Sequence, residues 1–163
     1  MLLLLYPIEF WRRYCDEQTV SLGVVRPKRI LDMTIENADA EWKPEWQQLF
    51  DQLKLFGEPQ KPLRKIPYKF SYVFECEDSA KPHHAMCEDW ELGMLYLNEE
   101  SRLGDPKKAA ESVRYKFLND ICASSKDTRF FMGTIFPYNA WVVLGVFYPP
   151  KRPELIADQM ALL

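Results

Sequence analysis

The chain has 163 residues, 47% hydrophobic and 28% charged, with 21 Lys and Arg against 24 Asp and Glu for a formal charge of −3. That composition supplies one core and excludes a disordered or collagen-like chain, while the negative balance excludes a molecule that holds polyanions by its overall field. A single domain over residues 1–163 is expected, and any nucleic-acid contact must come from a local patch.

Residues 1–6 are apolar, too short to cross a bilayer, and carry neither a basic leader nor a small-residue cleavage site, so they read as an opening strand. An abrupt apolar start could reflect a short form of a larger domain, whose strand edge would suit a protein partner or a homodimer, but the preferred reading is an ordinary first strand paired with a later one. Residues 7–18 mix Ile8, Phe10, Trp11 and Tyr14 with charged neighbours, as a short helix started at Pro7 would. Residues 19–25 and 28–36 are β-rich on either side of Arg26-Pro27; the second sets Ile30, Asp32, Thr34 and Glu36 against Leu31, Met33 and Ile35. Pro44 then opens a helix with Trp46, Leu49, Phe50, Leu53 and Phe56 on one stripe, closed by Gly57. Residues 57–67, with Pro59, Pro62 and Pro67, form an irregular internal connector.

Residues 68–76 alternate with period two, placing Tyr68, Phe70, Tyr72 and Phe74 on one face. Asp89 caps a helix with Trp90, Met94 and Leu97 as its stripe, ending near Gly104. Asp105-Pro106 starts a second helix with Ala110, Val113, Phe117 and Ile121 inward, so the two form a hairpin. Residues 128–136 and 140–148 read as an antiparallel pair before a proline-interrupted tail, and their rings Phe130, Phe131, Trp141, Phe147 and Tyr148 are expected in the core. The expected class is α+β: an antiparallel, barrel-like sheet with a helical hairpin packed against it. No apolar run reaches membrane-spanning length, and Cys15, Cys76, Cys87 and Cys122 without a secretory signal suggest reduced thiols in the cytoplasm.

Three groups of residues bear on chemistry. Cys76, His83, His84 and Cys87 fall within a short stretch, and thiolate plus imidazole there could tie a loop through zinc, with Cys76, His84 and Cys87 as ligands and a fourth from Cys15, Cys122 or Asp89. No regular CxxC pair is present, and the preferred reading makes Cys76 and Cys87 apolar packers and puts His83 and His84 on a solvated loop. Second, the carboxylates Glu75, Glu77, Asp78, Glu88, Asp89 and Glu91 could hold magnesium for a metal-dependent phosphodiester hydrolase, with His84 as base, Asp89 and Glu91 in the catalytic set, and Arg114 or Lys116 stabilising charge. Acids at a helix start also stabilise it without catalysis. Third, Lys61, Arg64, Lys65 and Lys69 form a basic run without an intervening acid, beside alternating aromatic residues, as a nucleic-acid contact requires; burial of those rings in a core would leave the bases as a rim.

The segments Lys65-Ile66-Pro67-Tyr68-Lys69-Phe70-Ser71-Tyr72, His84-x-Met86 with Asp89-Trp90-Glu91-Leu92-Gly93, Phe130-Phe131-x-Gly133-Thr134 and Gly145-Val146-Phe147-Tyr148-Pro149-Pro150 together resemble a family of uncharacterised bacterial and archaeal proteins. The resemblance extends over most of residues 21–150. It implies longer members with an OB-like barrel region ahead of this part, of which Leu5-Tyr6-Pro7-Ile8-Glu9-Phe10 looks like a remnant. Where such members carry cysteines before the histidine, this chain has Lys81 and Pro82. An OB-like element favours association with nucleic acid. The sequence-level expectation is a nucleic-acid-associated binding or accessory module, against the hydrolase and the protein-interaction domain as alternatives.

Overall fold

Period-two alternation and β-branched residues produce six strands, seen in a computed structural model that describes residues 21–39, 41–44, 64–77, 81–135 and 140–151. The expected opening strand at 1–6, the helix at 7–18, the helix beyond Pro44, most of the connector at 57–67 and the tail after 151 lie outside the described residues, as do Cys15 and Lys61.

Strands β1 (Leu22–Val25), β2 (Arg29–Asn37), β3 (Tyr68–Glu75), β4 (His83–Met86), β5 (Arg129–Ile135) and β6 (Ala140–Phe147) form two antiparallel sheets, ordered β1-β5-β6 and β2-β3-β4. The break at Arg26-Pro27 separates β1 from β2, so two consecutive strands of the chain enter different sheets. Lys28 N–H donates to the Glu75 carbonyl at 2.8 Å and starts the β2–β3 ladder immediately after Pro27. On the far side the sheets touch through one parallel bridge, Cys87 to Val143, where Glu88 N–H donates to the Val143 carbonyl at 2.7 Å. The class is α+β as expected, but the sheets do not close into a barrel, because a single bridge between β4 and β6 replaces a continuous ladder.

The alternation in β3 sends Phe70, Tyr72 and Phe74 into the core, and burying each large side chain contributes about 1.5–3 kcal/mol relative to exposure. Phe130 of β5 meets them from the other sheet, its ring centroid 4.6 Å from Tyr72 and 5.1 Å from Phe74. In β2 the register shifts between Ile30 and Asp32, so Ile30 pairs with Phe74 and Leu31 turns outward. This irregularity breaks the strict alternation that the sequence suggests for residues 30–36.

Helix α1 (Trp90–Leu103) begins at Asp89 and ends at Gly104, whose φ of 63° is the left-handed cap that glycine adopts without a Cβ penalty. Its buried residues are Leu92 and Tyr96, whereas Trp90 is 70% exposed, so the expected stripe through Trp90, Met94 and Leu97 is rotated. Tyr96 owes its inward position to the sheet, since its ring packs edge-on against Tyr68 at 5.8 Å. Helix α2 (Pro106–Tyr115) starts at Asp105, which accepts from the Lys107 and Lys108 N–H groups, and continues as a wider π-type segment (Lys116–Ile121). Ala110, Val113, Phe117 and Ile121 are all buried, as their spacing requires. The Tyr72 hydroxyl donates to the Phe117 carbonyl at 3.3 Å, tying that segment to the core. No helix among the described residues is long and apolar enough to cross a membrane.

Candidate functional site

The residues proposed for metal binding and hydrolysis do not converge. Cys76 follows β3 at the end where Phe74 pairs with His83, while Cys87 follows β4 at the opposite end, its N–H donating to the Phe70 carbonyl at 2.7 Å. Both cysteines are buried, and His84 is exposed on the outer face of β4, while neighbouring His83 turns inward against the Phe74 ring at 5.5 Å. His84 Nε2 lies 3.2 Å from the Thr34 hydroxyl oxygen, a contact that crosses the width of β3. Among the described residues no group of three or more His, Cys, Asp and Glu side chains is placed to hold a metal ion.

Asp89 is committed to the backbone. Its Oδ1 accepts the Glu91 N–H at 2.7 Å and its Oδ2 accepts the Val146 N–H at 3.0 Å, so one carboxylate caps α1 and binds β6. Glu91 sits exposed in the first turn of α1, where its charge complements the helix N-terminus. Arg114 donates to Asp32 at 2.6 Å and to the Met33 carbonyl at 2.7 Å, and Lys116 pairs with Asp120 at 2.9 Å.

The basic run divides in the same way. Arg64 pairs with Glu100 at 2.6 Å, and the Lys65 ammonium donates to the Glu41 carbonyl at 2.7 Å with the Trp42 ring 5.7 Å away. Lys69 remains exposed on β3, opposite Glu36 in the register. The aromatic face beside it, Phe70, Tyr72 and Phe74, is interior and offers no ring to a ligand.

A different set of cations comes together where β1 ends and β2 begins. An open cleft of about 890 Å³ there is bordered by Arg26, Lys28, Arg29, Lys126 and Lys151, with Asp127 and Glu77 as its only carboxylates among the described residues. Pro27 creates the corner: it has no N–H to extend the β1 ladder, and the flanking cations fan out beside it. Backbone bonds from Asp127 N–H to the Pro149 carbonyl, 2.8 Å, and from Lys151 N–H to the Ser125 carbonyl, 2.9 Å, bring the last described residues to the same wall. Arg26 pairs with Asp127 at 2.9 Å and Arg29 with Glu75 at 3.1 Å, whereas Lys28 and Lys151 have no carboxylate partner among the described residues. Asp127 also takes Arg129 at 2.7 Å, and these two guanidinium groups, Arg129 first, hold its carboxyl below the ordinary aspartate range.

Cys122 and Cys76 line the floor of this cleft. Burial pushes the Cys122 thiol up to about 11 and the Cys87 thiol in the core up to about 12, so neither is a thiolate near neutrality. Cys76, Cys87 and Cys122 form no disulfide.

Beside the cleft, the outer face of the β1-β5-β6 sheet departs from the sequence expectation. Phe130 and Met132 point into the core, but Phe131 is 42% exposed and Phe147 50% exposed, their centroids 6.5 Å apart in an edge-to-face pair, and Tyr148 is also exposed. Reading all the rings of these strands as core residues therefore fails for three of them, since only one face of this sheet meets the other sheet. The cleft is not legible in the sequence because its cations come from two distant parts of the chain, around Pro27 and from Lys126 onward, and the exposure of the ring pair depends on which face of its sheet is covered. The Arg26-Pro27-Lys28-Arg29 run was the available signal.

No curated protein and no solved structure matches the chain. A family described as a domain of unknown function (DUF8757) does match, over residues 11–163, which includes both sheets, the helical hairpin and the whole cationic cleft. The chain belongs to that family.

Proposed function

We propose that this protein is a nucleic-acid-binding module that grips a phosphate backbone in the cleft at the β1–β2 corner. The carrying observation is the concentration of Arg26, Lys28, Arg29, Lys126 and Lys151 around one opening, against two carboxylates among the described residues, in a chain whose net charge is −3. A local cationic field in an acidic molecule is costly unless something anionic meets it, and the ammonium groups of Lys28 and Lys151, without a carboxylate partner among the described residues, are suited to displacing counterions from phosphates. The cleft is open and bordered by charged side chains, which favours an extended polyanion over a small enclosed ligand. Arg64 and Lys65 are engaged within the protein, so among the described residues of the basic run Lys69 is left for a secondary contact.

The test is fluorescence anisotropy with labelled DNA and RNA oligonucleotides across a salt series. Lys28→Glu combined with Lys151→Glu is expected to weaken binding by more than about tenfold at low salt and to flatten the slope of log K against log salt by about 1.5 to 2. Both side chains lie on the surface, so the double variant should melt as the parent does. Unchanged affinity, or no binding by the parent protein, would overturn the proposal.

A further inference from the structure

We infer that the exposed ring pair Phe131 and Phe147 is a base-stacking platform, which makes the ligand of this module single-stranded nucleic acid. The inference rests on the phosphate-binding reading of the cleft and narrows it to one class of polynucleotide.

The two features form one continuous surface. Phe147 pairs in register with Arg129, Arg129 bonds Asp127 at 2.7 Å, and Asp127 bonds Arg26 at 2.9 Å on the wall of the cleft. Between two guanidinium groups, the single carboxylate of Asp127 leaves a net positive charge at the point where the cleft meets the rings. The outer face then runs through Phe147 and Phe131 to Gly133, where Leu144 and Leu22 approach each other over the missing side chain. A Cβ at that position would collide with Leu144 Cδ1 and come within 3.3 Å of Leu22 Cδ2.

Two phenylalanines exposed side by side on a sheet face cost hydration free energy, and among the described residues the core is filled without them, by Phe130 and Met132 on the other face of β5. Stacking on a ring needs an unpaired base with its face available, which a duplex withholds and a single strand offers. Cations at one end and rings along the face match the alternation of phosphate and base along such a strand. A purely apolar partner would leave the lysines of the cleft and the excess positive charge around Asp127 unmatched, so the charge favours a polynucleotide over a second protein surface.

The experiment compares a labelled oligothymidylate of about 12 nucleotides with a duplex of equal length, by anisotropy, for the parent protein and for Phe131→Ala, Phe147→Ala and Phe147→Trp. The single strand is expected to bind at least about tenfold tighter than the duplex. Each alanine variant should lose about tenfold or more on the single strand, with the salt slope and duplex binding unchanged, and Phe147→Trp should keep the parent affinity. Melting curves check that these surface variants remain folded. Equal affinity for single strand and duplex, unmoved by either alanine, would overturn the stacking platform while leaving the cleft reading in place. Absence of binding to either oligonucleotide would overturn both. Alanine variants that change only the sedimentation coefficient, at unchanged oligonucleotide affinity, would reassign the face to self-association and overturn the inference.

Discussion

Asp89 Oδ2 accepts the Val146 N–H at 3.0 Å, while Oδ1 of the same carboxylate accepts the Glu91 N–H that opens α1. The two oxygens thus fasten the helical hairpin to the strand that carries Phe147. A residue that the sequence offers as a catalytic acid is consumed by two backbone donors.

Replacing it tests that assignment. Asp89→Ala removes a helix cap and strands a strand N–H, and should destabilise the protein by about 2–3 kcal/mol in urea unfolding. Asp89→Asn has one carbonyl oxygen for two donors and should fall between the parent and alanine variants. An Asp89→Ala variant of unchanged stability would show that the carboxylate is not structural.

Arg114 joins α2 to the edge of β2 through Asp32 and the Met33 carbonyl, at 2.6 and 2.7 Å. Both side chains are partly exposed, so the charge pair itself should count for little and the bond to the carbonyl for more. A double-mutant cycle of Arg114→Ala with Asp32→Ala should give a coupling of about 0.5–1 kcal/mol, and Arg114→Ala alone should cost more than Asp32→Ala.

Glu99 provides a pH signature. Hydrogen bonds from Arg102, and then from Ser112, lower its carboxyl from 4.5 to about 2. Between those values the unfolded chain binds a proton that the folded chain does not, so stability from this group is complete above about 4.5 and is lost as pH falls toward 2. Melting temperatures of the parent and Glu99→Gln should differ near neutrality and converge at the acid end of a pH series.

The thiols make a separate prediction. Since burial raises Cys122 to about 11 and Cys87 to about 12, both should resist iodoacetamide at pH 8 in the folded protein and label fully in denaturant. Peptide mapping after a short pulse reads the two sites individually. Rapid labelling of Cys87 in the native state would contradict its place in the core.

Gly133 is a test of the apolar sheet face. Gly133→Ala forces Leu144 to move, but Leu144 is an exposed side chain with room to rotate, so the cost should stay below about 1 kcal/mol. Gly133→Val also crowds Leu22 and should cost about 1–3 kcal/mol in the same unfolding assay.

Local chemistry alone determined much of this protein. The alternation at Tyr68, Phe70, Tyr72 and Phe74 placed a strand and its core face, Asp105-Pro106 placed a helix start, and the stripe from Ala110 to Ile121 identified the buried side of the second helix. Each depends on a period or cap that neighbouring residues enforce. The short strand at His83–Met86 was not legible, because four residues with two histidines carry too little periodicity to separate from a loop. Tertiary structure decided the rest. Tyr68 and its sheet chose Tyr96 over Trp90 as the inward residue of α1, and the register shift at Leu31 overrode the alternation of β2. Opposite ends of one ladder separated Cys76 from Cys87, although the sequence sets them close. The cationic cleft, of which the run Arg26-Pro27-Lys28-Arg29 is the one local sign, and the exposed Phe131 and Phe147 belong to that second category: which face of a strand meets another sheet, and which distant lysines share one opening, follow from pairing across the chain.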